Sequence, residues 1–343
     1  MPDKEIVAIE KLVKIYPGGT KAVAGIDCAV HRGEFFGFLG PNGAGKSTTM
    51  KILSTLLKKT SGRAVVAGYD VDRDPGGVRK SIGFAMQEVG LDDLSTGWHF
   101  LVLQGLLYGL SRKEAESRAR DLLKLVGLTD VANRKVGTYS GGMRRRIDLV
   151  AALMHRPPVL FLDEPTTGLD PQSRLAIWEH LSQINKAGTT ILLTTQMMEE
   201  AEHLCQRIAI IDLGQIIVEG SPEGLKAQVG GDVVHLTVRP TESVRAGSGV
   251  EIAQSLVRER SYVAEVQRSD STLSVQVANG ATALPDLLQL LQEGGIFVSA
   301  LSIQNPTLED VFLQYTGRKI RTEGASGDEV AQALRPMLGL RRN

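Results

Sequence analysis

The sequence predicts an α/β domain built on a mixed, largely parallel sheet, followed by a smaller α+β unit. Three observations carry this reading. Short, continuous apolar runs at 35–39 and 158–162 are typical of strands buried on both faces. A glycine-rich loop joins the first of these runs to a helical pattern. Beyond residue 231 the order of predicted elements changes to β-α-β-β-α-β. A length of 343 residues allows roughly two domains.

Taken in order, residues 6–15 (IVAIEKLVKI) alternate as a strand, and Tyr16, Pro17, Gly18 and Gly19 make a turn. Residues 30–39 read as half of a hairpin, and a helix is expected over 46–57 after the glycine loop. Residues 64–71 read as one strand. From about 89 to 157 the pattern turns helical (LVLQGLLYGL, then KEAESRARDLLKLV), which predicts a helical subdomain. PVLFLD and TTILLTT are buried strands, and between them IWEHLSQINKAG is a helix capped by Gly188. RIAIID and QIIVEG form a further pair. The composition shifts near Gly230 and Gly231, giving domains over 1–230 and 231–320 and a mobile tail over 321–343. In the second domain, a strand (233–238), a helix (250–259), a hairpin (263–277), a helix (284–293) and a strand (296–303) make a ferredoxin-like unit, followed by a short helix over 307–315.

Composition narrows the function classes. The chain has 39 basic and 39 acidic residues, which argues against bulk electrostatic binding to nucleic acid. The two cysteines, Cys28 and Cys205, exclude a disulfide scaffold and a cysteine-rich zinc site, and fit a reducing compartment. No apolar run reaches the length of a spanning helix, and the N-terminal residues lack an apolar signal core. A cytosolic protein is expected.

The loop Gly40-Pro41-Asn42-Gly43-Ala44-Gly45-Lys46-Ser47 fits the pattern G-x-x-x-x-G-K-[ST] between a strand and a helix. Glycines let backbone N–H groups turn inward onto phosphate oxygens, and the helix beginning with Lys46, Ser47 and Thr48 points its positive end at them. Lys46 adds a charge near the β- and γ-phosphates, and Ser47 offers a hydroxyl to Mg²⁺. Asp163 and Glu164 end a buried strand, where ligands bind in α/β sheets. Asp163 can hold Mg²⁺, directly or through water, and Glu164 can take a proton from a water attacking the γ-phosphate. Ser140-Gly141-Gly142 opens another helix, either as an ordinary N-cap or as a second anion site. Arg144-Arg145-Arg146 is either a solvated face or a partner-binding patch.

Together these pieces resemble the nucleotide-binding subunit of ABC transporters, over residues 5 to about 225. The resemblance implies the P-loop NTPase fold of that family, with ATP and Mg²⁺ as ligands. It makes the glycine loop the Walker A motif, and Leu160 to Glu164 the Walker B motif with Glu164 catalytic. It implies that Tyr16 stacks on adenine and that Gln87, in FAMQEVG, contacts Mg²⁺ and the attacking water. Tyr139-Ser140-Gly141-Gly142-Met143 matches the signature motif, which usually ends in Gln, and Gly168-Leu169-Asp170 matches the D-loop. Gln196 stands where the family usually has a histidine touching the γ-phosphate; an amide can donate a hydrogen bond but cannot shuttle a proton. TTQ-x-x-EEAE, GTYSGGMRRRIDL and PTLEDVFLQYTG together resemble the daunorubicin-resistance type of drug and lipid exporter.

The resemblance further implies that two copies face head to tail, with Ser140 and Gly142 of one closing on the γ-phosphate held by Lys46 of the other. A separate polytopic permease would hold the chain on the inner face of the membrane and export a hydrophobic drug or lipid. Trp98, His99, Phe100 and Leu101 are then either plain core or part of the route to the permease. The C-terminal unit is either a dimer-stabilising or regulatory domain or a packing appendage. His155 and His203 have no ligand spacing around them. The alternative function is a non-transport ABC clamp on ribosomes or DNA. A single phosphate loop, the absence of a long heptad run and zero net charge weigh against it.

Overall fold

A computed structural model describes residues 5–87, 90–240 and 249–316; the tail expected over 321–343 lies outside the described residues. The chain divides into two compact units, one ending at Ser221 and the next starting at Pro222, upstream of the composition shift at 230–231.

The first unit opens with β1 (Glu5–Ile15) and β2 (Lys21–His31), followed by β3 (Phe35–Leu39) and α1 (Lys46–Leu53). Next come β4 (Ser61–Val66), β5 (Tyr69–Asp70), α2 (Pro75–Ser81) and β6 (Ile82–Ala85). The helical stretch contains α3 (Gly97–Leu107), α4 (Arg112–Leu125) and α5 (Gly141–Ala151). The unit is completed by β7 (Val159–Asp163), α6 (Pro171–Lys186), β8 (Thr190–Thr195), α7 (Met198–Leu204), β9 (Arg207–Asp212) and β10 (Gln215–Gly220).

Two sheets form. Six strands lie in the order β10-β9-β3-β8-β7-β6, parallel except for the β9–β10 pair. Every residue of β3, β7 and β8 is buried, as their continuous apolar runs require. A separate antiparallel sheet has the order β2-β1-β4-β5. Its strands mix buried and exposed residues, as in β2, because this sheet keeps contact with water.

The structure corrects two of the strand readings. Residues 30–39 are not half of a hairpin: β2 ends at His31 in the antiparallel sheet, and β3 starts in the other. A turn closed by the Glu34 N–H on the His31 carbonyl (3.1 Å) separates them, and FFGFL needs cover on both faces that β2's sheet lacks. The single strand expected over 64–71 breaks at Ala67 and Gly68, both with positive φ (51° and 86°), which makes a two-residue hairpin of β4 and β5. Of the four residues 98–101, Phe100 and Leu101 belong to the core, while Trp98 is half-buried and His99 exposed. The apolar side chains that α3 and its C-terminal end leave exposed are Leu103, Leu106, Leu107 and Tyr108.

Helix ends follow from local chemistry. Ser111 and Glu114 form a reciprocal capping box at the start of α4, and Asp170 caps α6 by accepting the Ser173 N–H at 2.9 Å. Gly188 follows α6 at φ +100°, a backbone that favours glycine. Cys28 and Cys205 are both buried, and burial pushes both thiols far above their usual range.

The second unit contains α8 (Pro222–Val229), β11 (Asp232–Pro240), α9 (Gly249–Arg258), β12 (Val263–Ser269), β13 (Thr272–Val277), α10 (Gly280–Glu293), β14 (Ile296–Gln304) and α11 (Leu308–Thr316). Its sheet is fully antiparallel in the order β12-β13-β11-β14, which is the ferredoxin-like arrangement. Val234, Leu236, Leu273 and Val275 on the sheet pack with Ala253, Val257, Leu287 and Leu291 on α9 and α10. At the end of the unit the Tyr315 hydroxyl donates to Gln228 Oε1 (2.9 Å), tying α11 to α8.

Candidate functional site

The parallel strands β3, β7 and β8 end side by side, and the loops leaving their C-terminal ends carry most of the predicted site. After β3 the chain turns tightly through residues 40–45. A Cβ at Gly40 would sit 2.1 Å from the Ile211 carbonyl oxygen, and one at Gly45 2.4 Å from that of Ala22. Gly45 is also left-handed, at φ +106°, and enters α1 without a side-chain cap, so the first N–H groups of that helix are free of a side-chain partner from their own N-cap.

Lys46 is 3 % exposed. Its Nζ donates to the carbonyls of Gly40 (2.8 Å) and Pro41 (3.0 Å) and lies 3.6 Å from Glu164 Oε1. Burial pulls the ammonium below its usual range, and the Glu164 and Asp163 carboxylates counter that pull. Ser47 Oγ donates to Asp163 Oδ1 at 2.9 Å, and Thr194 on β8 donates to the same oxygen.

Glu164 is buried and has a left-handed backbone, φ +47°, which is rare for a residue with a side chain. Its N–H donates to the Thr194 carbonyl (3.0 Å) and to Thr194 Oγ1 (3.2 Å). Its Oε2 accepts from Thr167 Oγ1 (3.2 Å) and from Gln87 Nε2 (3.4 Å). A cleft of about 490 Å³ is lined by Asn42, Gly43, Gly45, Lys46, Ser47 and Thr48, with Gln87, Glu164, Thr167, Gln196 and Ala22 opposite. Gln196 Oε1 is buried there without a hydrogen-bond partner. Among the described residues lining the cleft, Lys46 is the one cation. Tyr16 touches this wall from its edge, with its hydroxyl 3.4 Å from Thr48 Oγ1 and Lys14 Nζ 5.4 Å from the ring centroid. The oxygen-only pair of Ser47 and Asp163 has the donor chemistry that a hard cation such as Mg²⁺ takes.

The other predicted residues do not line this cleft. Ser140 caps α5, its Oγ accepting the Met143 N–H at 3.3 Å; Ser140 and Gly141 are exposed. A Cβ on Gly142 would meet Ser173 Oγ at 2.6 Å, so this glycine lets α5 approach the start of α6 beside Asp170. Hydrogen bonds from Ser173 hold the Asp170 carboxyl below its usual range.

Each arginine of the run bonds within its own chain. Arg144 pairs with Asp93, Arg146 donates to the Val126 carbonyl (2.9 Å), and Arg145 is 5 % exposed with its bonds directed inward. His155 stacks on Tyr108 (3.8 Å between ring centroids) and contacts the Ile82 carbonyl, while His203 stacks on Trp178. Sequence reasoning missed Thr194 and Thr167; the pair Thr194-Thr195 before Gln196 and the pair Thr166-Thr167 after Glu164 were the available signals.

Comparison with known proteins places the chain in a family. The family model for ABC transporters matches residues 23–167, and that for the DrrA1-3-like ATP-binding protein C-terminal domain matches 220–316. The daunorubicin resistance ATP-binding protein DrrA2 of Streptomyces coeruleorubidus is 43 % identical over 96 % of this chain and 100 % of its own. The linearmycin resistance ATP-binding protein LnrL of Bacillus subtilis is 40 % identical over 91 % and 98 %. Among solved structures, the dimeric post-hydrolysis state of the ATP-binding cassette MJ0796 with ADP and Pi matches with a TM-score of 0.58 and 28 % identity, covering 63 % of this chain and 98 % of that one. The chain therefore belongs to the ABC transporter ATP-binding family, as an ATP-hydrolysing subunit of the drug-resistance and export type.

Proposed function

We propose that ATP binds in the cleft beside Lys46 as its Mg²⁺ complex and that Glu164 drives its hydrolysis. The observation that carries this reading is the meeting of two segments at the C-terminal ends of β3 and β7: Lys46 lies within 3.6 Å of Glu164, and Ser47 is bonded to Asp163. The backbone N–H groups of Gly43, Gly45, Lys46 and Ser47 and the Lys46 ammonium take the phosphate oxygens. Tyr16, at the mouth beside Thr48, stacks on adenine. Ser47, Asp163 and Gln87 would hold Mg²⁺, which supplies charge neutralisation on the phosphates.

Glu164 accepts the proton of the attacking water, and Gln87, already bonded to that carboxylate, orients the water. Thr167 and Gln87 fix the carboxylate, so little reorganisation is needed when the proton moves. Gln196 lines the cleft with an amide able to donate to the γ-phosphate. Replacing it by histidine is expected to raise turnover several-fold, on the order of the gain from one extra charge-assisted hydrogen bond. Steady-state ATPase assays of Gln196→His check this; an unchanged kcat means that this side chain does not limit the rate.

Two copies act together in this reading. Ser140 and Gly141 present an exposed helix N-terminus that their own chain's cleft does not use, and a second copy's ATP satisfies it. ATP then links the copies, and hydrolysis releases them. Among the described residues no helix is long and apolar enough to cross a membrane. Transport therefore runs through a polytopic permease subunit, which docks on the apolar side chains exposed by α3, including Leu103 and Leu107 at 50 % and 71 %. A hydrophobic drug or lipid is the proposed cargo, and the inner face of the membrane the proposed location. Affinity purification of the chain from its native cells in mild detergent tests this. A polytopic membrane protein in equal amount is expected; ribosomal or DNA-bound material without one overturns the transport reading.

A further inference from the structure

We propose that Arg145 is a positioning residue for hydrolysis, holding the backbone on both sides of Glu164 and the residue before Gln87 in register with the helix that carries Ser140. This rests on Glu164 acting as the base. The guanidinium donates from all three of its nitrogens. Nε bonds the Pro165 carbonyl at 2.7 Å, and Nη2 bonds the Asp163 carbonyl at 3.2 Å. Nη1 bonds the Met86 carbonyl and lies 3.3 Å from Asp148 Oδ2.

Asp163 and Pro165 are the two neighbours of Glu164, and Met86 is the neighbour of Gln87. One planar cation thus anchors the main chain around both side chains that meet at 3.4 Å in the cleft. The anchoring matters because Glu164 has a left-handed backbone, a conformation that persists in such a residue only where the surroundings hold it. Thr194 holds the Glu164 N–H, and Arg145 holds the carbonyls on either side.

Three features separate this from generic packing. A buried guanidinium carries a desolvation cost that an apolar residue of similar size would not. The cost is visible as a pull below the usual range for arginine, caused first by burial. The fork of fixed N–H directions reaches three separate carbonyls at once, which a lysine ammonium on a flexible stem does not reproduce. Finally, Arg145 lies on α5, which begins at Gly141 beside Ser140, so a tilt of that helix moves the Glu164 backbone. The signature helix and the hydrolytic carboxylate of one chain are therefore mechanically joined.

The test compares Arg145→Met, Arg145→Lys and Glu164→Gln in the full chain. MgATP affinity is read with a fluorescent ATP analogue, kcat by phosphate release, and folding by thermal melting. Arg145→Met is expected to bind MgATP within about twofold of the wild type while kcat falls roughly 10- to 100-fold, the scale of a small misplacement of a reacting group. Arg145→Lys is expected to recover part of that loss. A kcat within about twofold of wild type in Arg145→Met overturns the proposal, as does a parallel fall of affinity, kcat and melting temperature. Should Arg145→Met fail to fold, Arg145→Lys decides, and full wild-type kcat in it overturns the proposal. Glu164→Gln separates the two levels. Wild-type hydrolysis there removes the base assignment and this proposal with it. A Glu164→Gln that has lost hydrolysis, beside an unaffected Arg145→Met, removes this proposal alone.

Discussion

Glu164→Gln is expected to bind MgATP with near wild-type affinity and to hydrolyse it about 10²- to 10⁴-fold more slowly. The substitution keeps the size of the side chain and one acceptor oxygen for Thr167 and Gln87, so the local structure survives. What it removes is the ability to take a proton. It also removes a negative charge 3.6 Å from Lys46, which frees that ammonium for phosphate. Product release should then become undetectable on the time scale of wild-type turnover, and two copies should accumulate as a complex around unhydrolysed ATP. Phosphate release and size-exclusion chromatography with and without MgATP read the two effects. Hydrolysis at the wild-type rate would sink the base assignment.

Lys46→Ala acts on the other half of the cleft. It is expected to weaken nucleotide binding roughly 30- to 150-fold, the equivalent of ~2–3 kcal/mol for hydrogen bonds to a charged group. The effect is large because no other cation among the described lining residues can compensate. Lys46 also ties the loop to itself through the Gly40 and Pro41 carbonyls, so its loss loosens the backbone that presents the N–H groups. Titration with the same fluorescent analogue measures the change. Unchanged binding would discredit the loop as the phosphate site.

The parts of the site that were legible in the sequence are those where backbone geometry dictates residue type. Gly40 and Gly45 can carry no side chain because the carbonyls of Ile211 and Ala22 occupy its place, and such a demand leaves glycines in the chain. Asp163 and Glu164 were legible because β7 is buried along its whole length and charge can begin only where the strand ends. Residues whose surroundings come from distant parts of the chain were not legible. Arg145 sits within three consecutive arginines, and only the fold brings the Met86, Asp163 and Pro165 carbonyls to it. Thr194 looks like one more strand residue until β8 lies against β7. For the same reason β2 and β3 read as continuous: a three-residue turn does not announce that the next strand joins another sheet. Ser140 was read as a cap or an anion site, and its hydrogen bond to Met143 establishes the cap alone.

The two buried cysteines have a practical consequence for following the proposed closure of two copies. Thiol reagents attack the thiolate, and burial keeps both Cys28 and Cys205 protonated and shielded. The native chain is therefore close to a cysteine-free background for labelling. A probe or cross-linker introduced through Thr138→Cys, exposed two residues before Ser140, can report on that surface without first deleting Cys28 or Cys205, and so without disturbing the core in which they pack.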